Sequence, residues 1–496
     1  MLKRAFPLAM TMAMVMTAAL LTSCSSGPGY QRPASELPAD WNPGTQAQTV
    51  QTLKADAPGS KWWALYGDLQ LNELVEEALA RNSNLQLAVA RVDEARAQLG
   101  ITQSNQSVGV DGTFSRSRNE SSAATGTLPP GLPRERNDYR AAINVSYELD
   151  LWGKLRSATE AARADLLATE AARDIVRTAL AADVVQAHFA QRALDEQVAA
   201  TRRSIATRGE GVGLQQKRYE AGVISKLDLG QLQSELAAAE AQLPALERRR
   251  LQTQTALAVL LGRTPREIFE STRPSAPSTT ATTTALPDKS NAAPVVVPIV
   301  VPEGLPSDLL LRRPDIVQAE QRLIAVNARL AQARASLFPS ITLTGMLGSQ
   351  SQALDNLFTG PAGIWSLAAG VLQPIFQGGR LRAAVEAAES RERQTVIQYQ
   401  QSIQNAFKEV RDALDGQVLA RRQLEAESSR ADRLRETYSL ARLRYENGVA
   451  SLLDVLDAER SLLAAELNRA DALRAQRAAV ADLFKALGGG WESGKQ

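Results

Sequence analysis

The stretch RYEAGVISKLDL (Arg218–Leu229) occurs again 226 residues later as RYENGVASLLDV (Arg444–Val455). A shorter pair, GKLR from Gly153 and GRLR from Gly379, has the same offset. Two separated blocks that share one offset indicate an internal duplication rather than a chance similarity between alanine-rich segments. The duplication fixes the architecture, because each copy must contain the same set of elements.

Each copy predicts a very long helix that ends at this repeated stretch. No proline occurs from Lys154 to about Tyr219, or from Arg380 to Tyr445. At about 1.5 Å per residue, each stretch can run about 100 Å as a helix, far beyond the usual three or four turns. The chain is therefore expected to be mostly α-helical, with helices that project instead of forming a compact domain.

Both copies contain the spacing of a coiled-coil seam, in which apolar residues recur at alternating three- and four-residue steps. The seam lies after the long helix in the first copy and within the long helix in the second. In the first copy these residues are Leu229, Leu232, Leu236, Ala239, Leu243 and Leu246. In the second copy they are Ile403, Phe407, Val410 and Leu414. Pro244 interrupts the first seam and predicts a bend there.

Between its helices each copy contains a predicted hairpin, at about 105–150 and about 339–377, in which apolar and polar residues alternate. Segments near ten residues with one apolar face are typical of barrel strands that face lipid on one side and water on the other. A half-buried soluble sheet has the same period, so both interpretations remain. In a barrel, the polar residues expected to line the pore are Asp111, Thr113, Asn144, Glu148, Thr342 and Thr344.

Four strands in one chain cannot close a membrane barrel, because bacterial barrels begin at eight strands and leave no edge exposed to lipid. Several chains must therefore share one barrel if these strands cross a membrane. A dimer would supply eight strands, whose interior side chains fill. A trimer would supply twelve and leave room for an opening, so function as a conduit favours the trimer.

The chain begins with a predicted secretory signal. A charged start and a short apolar run are followed by LTSC (Leu21–Cys24), which resembles the lipobox of bacterial lipoproteins. Two or three acyl chains on Cys24 would form a firm membrane anchor. The residue after Cys24 is Ser25 and not an aspartate, which would retain a lipoprotein at the inner membrane. Ser25 therefore indicates release to the outer membrane. The alternative is an ordinary signal peptide in which Cys24 is incidental.

These features divide the chain into six predicted parts, two of them duplicated halves that each run helix, hairpin, helices. The parts are a signal peptide at 1–23, a lipidated extended segment at 24–60, a first repeat at 61–270, a linker rich in Pro, Thr and Ala at 271–302, a second repeat at 303–487 and a flexible tail at 488–496.

The composition excludes several classes of function. Cys24 is the only cysteine and His188 the only histidine, so most hydrolytic and metal-dependent chemistry lacks its usual participants. His188 lies in a predicted helix and is interpreted as a packing or surface residue. The net charge of +2 offers no basic footprint for nucleic acid. We therefore predict no enzymatic activity, no metal, and no cofactor other than the lipid on Cys24.

No run of about twenty apolar residues follows the signal, so no membrane-spanning helix is expected. A lipoprotein without a spanning helix either sits on the membrane or crosses it as a β-barrel.

Four further blocks carry a resemblance to a known family. They are ELDLWG (Glu148–Gly153), GLPSDLLLRRPDI (Gly304–Ile316), ASLFPSI (Ala335–Ile341) and QPIFQGG (Gln373–Gly379). Together with the rest of residues 60–488, they resemble the TolC-type outer membrane factors, and especially the NodT-like lipoprotein branch that serves resistance-nodulation-division pumps.

This resemblance implies a homotrimer. Its twelve-stranded β-barrel lies in the outer membrane and continues into a periplasmic α-helical barrel, which an equatorial region surrounds. Such channels receive drugs and other small molecules from an inner-membrane pump through a periplasmic membrane-fusion adaptor, and they perform no chemistry of their own. For this chain the resemblance therefore implies a lipid-anchored efflux channel with a large periplasmic extension.

The resemblance also locates the repeated stretch at the periplasmic tips of the helices. There Asp454 and Asp457 match paired aspartates at the narrow entrance, and Tyr219, Tyr445 and Asp228 match residues that hold the helix pairs together in the closed state. The segments that match the contact with adaptor hairpins are Gly222-Val223-Ile224-Ser225 and Gly448-Val449-Ala450-Ser451. Ala450 departs from members that carry an arginine here, so the closed lock is expected to be weaker or different.

The residues also allow a simpler interpretation of the tips, as plain connectors between helices. Gly222 and Gly448 would end one helix through a positive φ, and Ser225 and Ser451 would cap the next. This interpretation accounts for glycine and serine, and we expect it not to require the acidic residues that follow.

Two other functions remain compatible with the sequence. One is an outer-membrane duct for type I protein secretion, because specificity in this family rests largely with the inner-membrane partner. The other is a periplasmic coiled-coil structural lipoprotein with a soluble sheet and no pore.

Overall fold

The computed structural model describes residues 30–33, 61–122, 124, 133–271 and 312–489. Cys24, all but the first residue of the predicted linker and almost all of the predicted tail lie outside the described residues. After a short 3-10 turn at Trp62–Tyr66, the helices are α1 Leu69–Arg81, α2 Ser83–Ser104, α3 Lys154–Glu220, α4 Lys226–Leu260, α5 Pro265–Ser271, α6 Pro314–Ala335, α7 Arg380–Glu446 and α8 Leu452–Ala486. The strands are β1 Gly109–Glu120, β2 Glu135–Leu149, β3 Ser340–Ser351 and β4 Gly363–Leu372.

The same order of elements occurs twice. In each copy a helix, α2 or α6, precedes two antiparallel strands, and a long helix and a shorter one follow them. Helices α1 and α5 have no equivalent among the described elements of the second copy. The helices α3 and α7 both have 67 residues, and α4 and α8 both have 35. The two long helices therefore begin and end within a residue of the proline-free stretches, and the prediction of a mostly helical chain is confirmed.

The predicted seam is largely buried. In α4 the buried members are Leu229, Leu232, Ala239 and Leu246. Helix α4 continues without interruption through Pro244, which lies inside it. The bend at Pro244 stays a prediction.

One of the two compact units of the chain contains the four strands, within Arg91–Glu170 and Gln318–Gln401. The strands form one antiparallel sheet in the order β1-β2-β3-β4. Asp111 lies opposite Asn144, and Glu148 lies opposite Thr342. Because paired residues share a face and side chains alternate along a strand, the six predicted pore-lining residues all lie on one face of the sheet.

The opposite face of this sheet is apolar and uncovered in one chain. Val110 lies opposite Val145, and Leu347 lies opposite Trp365. Trp365 and Leu367 are 78% and 80% exposed. Exposed apolar area of this kind marks a surface that another apolar phase or another chain covers.

The second compact unit has its own apolar core, which includes Trp62, Leu71, Val75, Val184 and Phe484. The indole of Trp62 stacks on the ring of Phe484 with centroids 4.8 Å apart. Aromatic stacking adds about 0.5–1.5 kcal/mol to the burial of apolar area.

The sole histidine belongs to this core region. His188 is 4% exposed, and its Nε2 lies 2.9 Å from Oδ2 of Asp68, the residue that caps α1. The hydrogen bond with His188 lowers the pKa of Asp68 to about 2. His188 is therefore a packing residue that orients a helix cap.

No described helix combines the length and the apolar character needed to cross a membrane.

Candidate functional site

The repeated stretches form two matching turns between antiparallel helices, one joining α3 to α4 and the other joining α7 to α8. Gly222 has φ 73° and Gly448 has φ 76°. In the first turn the N–H of Gly222 donates to the carbonyl of Tyr219, and the N–H of Val223 donates to that of Arg218. The second turn repeats both bonds with Gly448 and Val449. These are Schellman motifs, which satisfy the carbonyls that a helix end leaves unpaired.

Each following helix begins with a capping box. Asp454 N–H donates to the Ser451 hydroxyl at 3.2 Å, and the Asp454 carboxylate accepts from the Ser451 N–H at 2.9 Å. Ser225 and Asp228 make the same pair of bonds in the first copy. Two orphan amide donors at each helix start are thereby satisfied. The expectation that a plain connector does not require acidic residues is wrong for Asp228 and Asp454, because both complete a cap.

The two predicted gate aspartates differ in their local bonding. The N–H of Ser451, and then its hydroxyl, hold the pKa of Asp454 below its usual range. Asp457 takes no part in the cap and pairs instead with Arg460 at 2.6 Å, with both side chains more than 60% exposed. A connector therefore already explains Asp454 through the helix cap, but it does not explain Asp457.

The structure links the two helix pairs near the tips through Tyr445. The Gln215 side chain on α3 donates to the Tyr445 hydroxyl on α7 at 3.0 Å, and Gln215 is 5% exposed. The equivalent residue of the first copy, Tyr219, is 37% exposed, and no hydrogen bond to its hydroxyl occurs among the described residues. Tyr445 therefore joins the two copies, whereas Tyr219 and Asp228 lie at the surface of the first tip.

The residues predicted to contact an adaptor lie at the surface of the two turns. Val223 is 61% exposed and Val449 is 64% exposed, and the apolar residues Leu227 and Leu453 beside them are exposed to a similar degree. Adaptor contact stays a prediction for all eight residues of the two segments. An exposed apolar pair at each tip is the kind of surface that such a contact would cover.

Sequence reasoning missed a charged cluster that lies between the helices above the tips. Arg208 on α3 is 5% exposed, donates from Nη1 to the Glu235 carboxylate on α4 at 3.2 Å, and donates from Nε to Glu459 on α8 at 3.3 Å. Its Nη1 also donates to the backbone carbonyl of Glu235. Burial raises the pKa of Glu459, while the charge of Arg208 acts in the opposite direction. One guanidinium thus ties together three helices from both copies.

The hallmark block around Arg313 also has a structural role that the sequence did not reveal. Arg313 is 5% exposed and pairs with Asp315 at 2.7 Å and with Glu409 on α7 at 2.6 Å. It also donates to the backbone carbonyl of Ala486 at the end of α8. The motif therefore fastens the start of α6 to two helices of the second copy. No signal in the local spacing predicts these partners, which lie 96 and 173 residues away.

Among the described residues, no three histidine, cysteine, aspartate or glutamate side chains lie close enough together to hold a metal ion.

Replacing Gly448 with alanine is expected to destabilise the tip by about 1–2 kcal/mol, because an L-residue is strained at a positive φ. A Cβ there meets no atom within 4 Å, so the cost is confined to the backbone. Denaturant unfolding measures the loss. The matched control is Gly416→Ala inside α7, where the Cβ is equally free and alanine should stabilise by about 0.5–1 kcal/mol. Equal effects of the two substitutions would refute the strain argument.

Comparison with known proteins bears on what these features do. The outer membrane efflux protein family matches residues 74–263 and 305–489. The chain is 34% identical over 487 residues to outer membrane protein OprJ of Pseudomonas aeruginosa, which covers 97% of this chain and 96% of OprJ. It is 33% identical over 474 residues to the cation efflux system protein CusC of Escherichia coli, at 95% and 97% coverage.

A solved structure agrees with these matches. The crystal structure of the CmeC outer membrane channel of Campylobacter jejuni superposes with a TM-score of 0.84 at 26% identity, covering 95% of this chain and 96% of CmeC. The resemblance found in the sequence is thereby confirmed. The chain belongs to the outer membrane efflux protein family, and its place is the outer membrane.

Proposed function

We propose that three copies of this chain form one outer-membrane channel that passively exports drugs or other small molecules. The observation that carries this proposal is the four-stranded sheet with one polar and one uncovered apolar face. Its outer strands β1 and β4 each pair with only one neighbour among the described strands. Lipid tolerates no open sheet edge, so neighbouring copies must supply the missing partners. Three copies give a closed barrel of twelve strands with room for a pore.

The proposed barrel continues into a periplasmic helical barrel with an equatorial region around it. The tips of its helices form the gate. Asp454 and Asp457 are three residues apart on α8 and share a face, so a trimer would contain two rings of three carboxylates. Such rings attract cations and can bind a blocking ion. The Gln215–Tyr445 hydrogen bond supports a closed state, because it connects the two helix pairs close to this entrance.

The proposed partners follow from the same arrangement. Acyl chains on Cys24 anchor the chain in outer-membrane lipid. A periplasmic membrane-fusion adaptor binds the exposed tip segments, and an inner-membrane pump of the resistance-nodulation-division type supplies the cargo. Opening is a splaying of the helices that adaptor binding drives. The channel catalyses no reaction and requires no cofactor other than the lipid on Cys24.

Planar-bilayer recording of the purified, detergent-extracted trimer tests this function. The native channel should show a small conductance, and Gln215→Leu should raise it several-fold, because the substitution removes the donor to Tyr445. Gln216→Leu is the matched control, since Gln216 is half-buried and, among the described residues, its side chain donates only to Glu220 on its own helix. Absence of any pore, in the native protein and in Gln215→Leu alike, would favour the coiled-coil structural lipoprotein instead.

A further inference from the structure

The residues just after the proposed lipid anchor dock onto the strand-containing unit. Tyr30–Pro33 are described, and the guanidinium of Arg32 forms two parallel hydrogen bonds to Glu320 on α6, from Nε at 2.7 Å and from Nη2 at 2.7 Å. The Tyr30 hydroxyl donates to the same carboxylate at 3.3 Å. Parallel paired bonds of this kind fix both distance and orientation, which a single contact does not.

The acceptor for this segment is buried. Glu320 is 9% exposed, and every hydrogen bond that its carboxylate accepts within the described part of the chain comes from Tyr30 or Arg32. A buried carboxylate without partners is strongly disfavoured, because it loses its hydration and gains nothing in return. Without Tyr30–Pro33, the buried Glu320 carboxylate would therefore have no hydrogen-bond donor among the described residues.

An aromatic residue completes the site. Tyr399 on α7 is 1% exposed, and burial, followed by the nearby charge of Glu320, raises its pKa. Its hydroxyl has no hydrogen-bond partner among the described residues. Burial and the charge of Glu320 also raise the pKa of Tyr30. The two tyrosines and the two charged residues thus form one cluster from three separate parts of the chain.

We propose that Glu320 and Tyr399 form an intramolecular docking site for Tyr30–Pro33, which fixes the position of the lipid anchor on the folded unit. Cys24 precedes Tyr30 by six residues, and six residues span at most about 21 Å. The acylated cysteine is then confined to that radius around Tyr30, so the membrane surface lies within it. The anchor acts as a fixed attachment and not as a loose tether. This inference rests on the proposed lipidation of Cys24.

A nitroxide spin label at Gln31→Cys tests the docking directly. Gln31 is exposed, and Cys24 is the only natural cysteine, so its acylation leaves the introduced thiol as the only free one. In the detergent-extracted protein the label should give the spectrum of an immobilised side chain. Arg32→Ala should free the label and shorten its correlation time at least several-fold. Arg32→Ala/Glu320→Gln should free the label to the same extent, and it leaves no unpaired carboxylate at position 320.

Arg334→Ala is the matched control. Arg334 likewise pairs with a glutamate of the same unit, Glu389 on α7 at 2.9 Å, but it has no described hydrogen bond or ion pair with Tyr30–Pro33. Its label should remain immobilised. Two outcomes would overturn the docking. One is a label that is as mobile in the parent as in Arg32→Ala, and the other is a label that is as immobile in Arg32→Ala/Glu320→Gln as in the parent. Incorporation of radiolabelled palmitate and bilayer conductance are measured on the same samples. If the label is immobilised but no palmitate is incorporated, only the proposed lipid anchor is refuted. If the label is immobilised but no conductance is recorded, only the proposed channel is refuted.

Discussion

Arg208→Ala is expected to lower the free energy of unfolding by about 3–5 kcal/mol, the largest effect of any single substitution proposed for this chain. The guanidinium is the only positive charge within hydrogen-bonding distance of both Glu235 and Glu459 among the described residues. Its removal leaves two carboxylates facing each other with 29% and 13% of their side chains exposed. Two like charges at low dielectric repel, and neither regains its full hydration.

Denaturant unfolding of the detergent-solubilised protein measures this loss. Arg202→Ala is the matched control, because Arg202 makes the same kind of bond between α3 and α4, to Glu247 at 2.7 Å, but its side chain is 63% exposed. An exposed ion pair contributes about 0.2–1 kcal/mol, so this substitution should be nearly neutral. Glu459→Gln should also cost much less, since it removes a carboxylate whose pKa burial already raises. If Arg202→Ala destabilised as much as Arg208→Ala, burial would not be the cause.

Replacing Asp454 and Asp457 together with asparagine is expected to abolish the cation preference of the channel and to weaken block by multivalent cations at least about tenfold, or about 1.4 kcal/mol. In the proposed trimer the substitution removes six negative charges from two stacked rings. Their attraction for a cation falls with distance and dielectric, so neutral side chains of similar size leave only weak dipoles. Reversal potentials and blocker titrations in planar bilayers provide the measurement.

The cap bond of Asp454 makes the single variants informative. Asp454→Asn also weakens the capping box, whereas Asp457→Asn leaves that box intact. A loss of cation preference in Asp457→Asn alone would therefore be an effect of charge. Asp471→Asn, an exposed aspartate further along α8, is the control and should behave as the parent. If Asp454→Asn/Asp457→Asn kept the cation preference of the parent, the two aspartates would not form the gate. The proposal that the protein forms a channel would be unaffected.

The features that the sequence predicted well are local. The Schellman turns at Gly222 and Gly448 and the caps at Ser225 and Ser451 depend on residues within six positions of each other, so their signatures are visible in a single stretch. Alternation with period two likewise placed all six polar strand residues on one face, because the geometry of a strand leaves no other outcome. The long helices followed from the absence of proline together with residues that favour helix.

The features that the sequence did not predict are pairings between distant segments. Arg208 and Glu320 are ordinary charged residues in helical stretches, and Arg313 directly precedes a helix. In such positions a charge usually faces solvent. Asp454 is a different case, because its partner Ser451 lies only three residues away. The expectation that a connector requires no acidic residue left out the capping box that this pair forms. Periodicity identifies the buried face of a helix, but it does not state which helix covers that face or in which register.

For this protein, the sequence by itself determined the duplication, the lengths of the helices, the chemistry of both tips and the two faces of the sheet, since each depends on neighbouring residues or on a fixed backbone period. Only the tertiary structure decided that Arg208 joins three helices, that Tyr445 and not Tyr219 links the two copies, and that Arg32 docks on Glu320. Those contacts join residues between 27 and 288 positions apart. Their partners are selected by helix packing, which buries particular charges and so requires particular counter-charges.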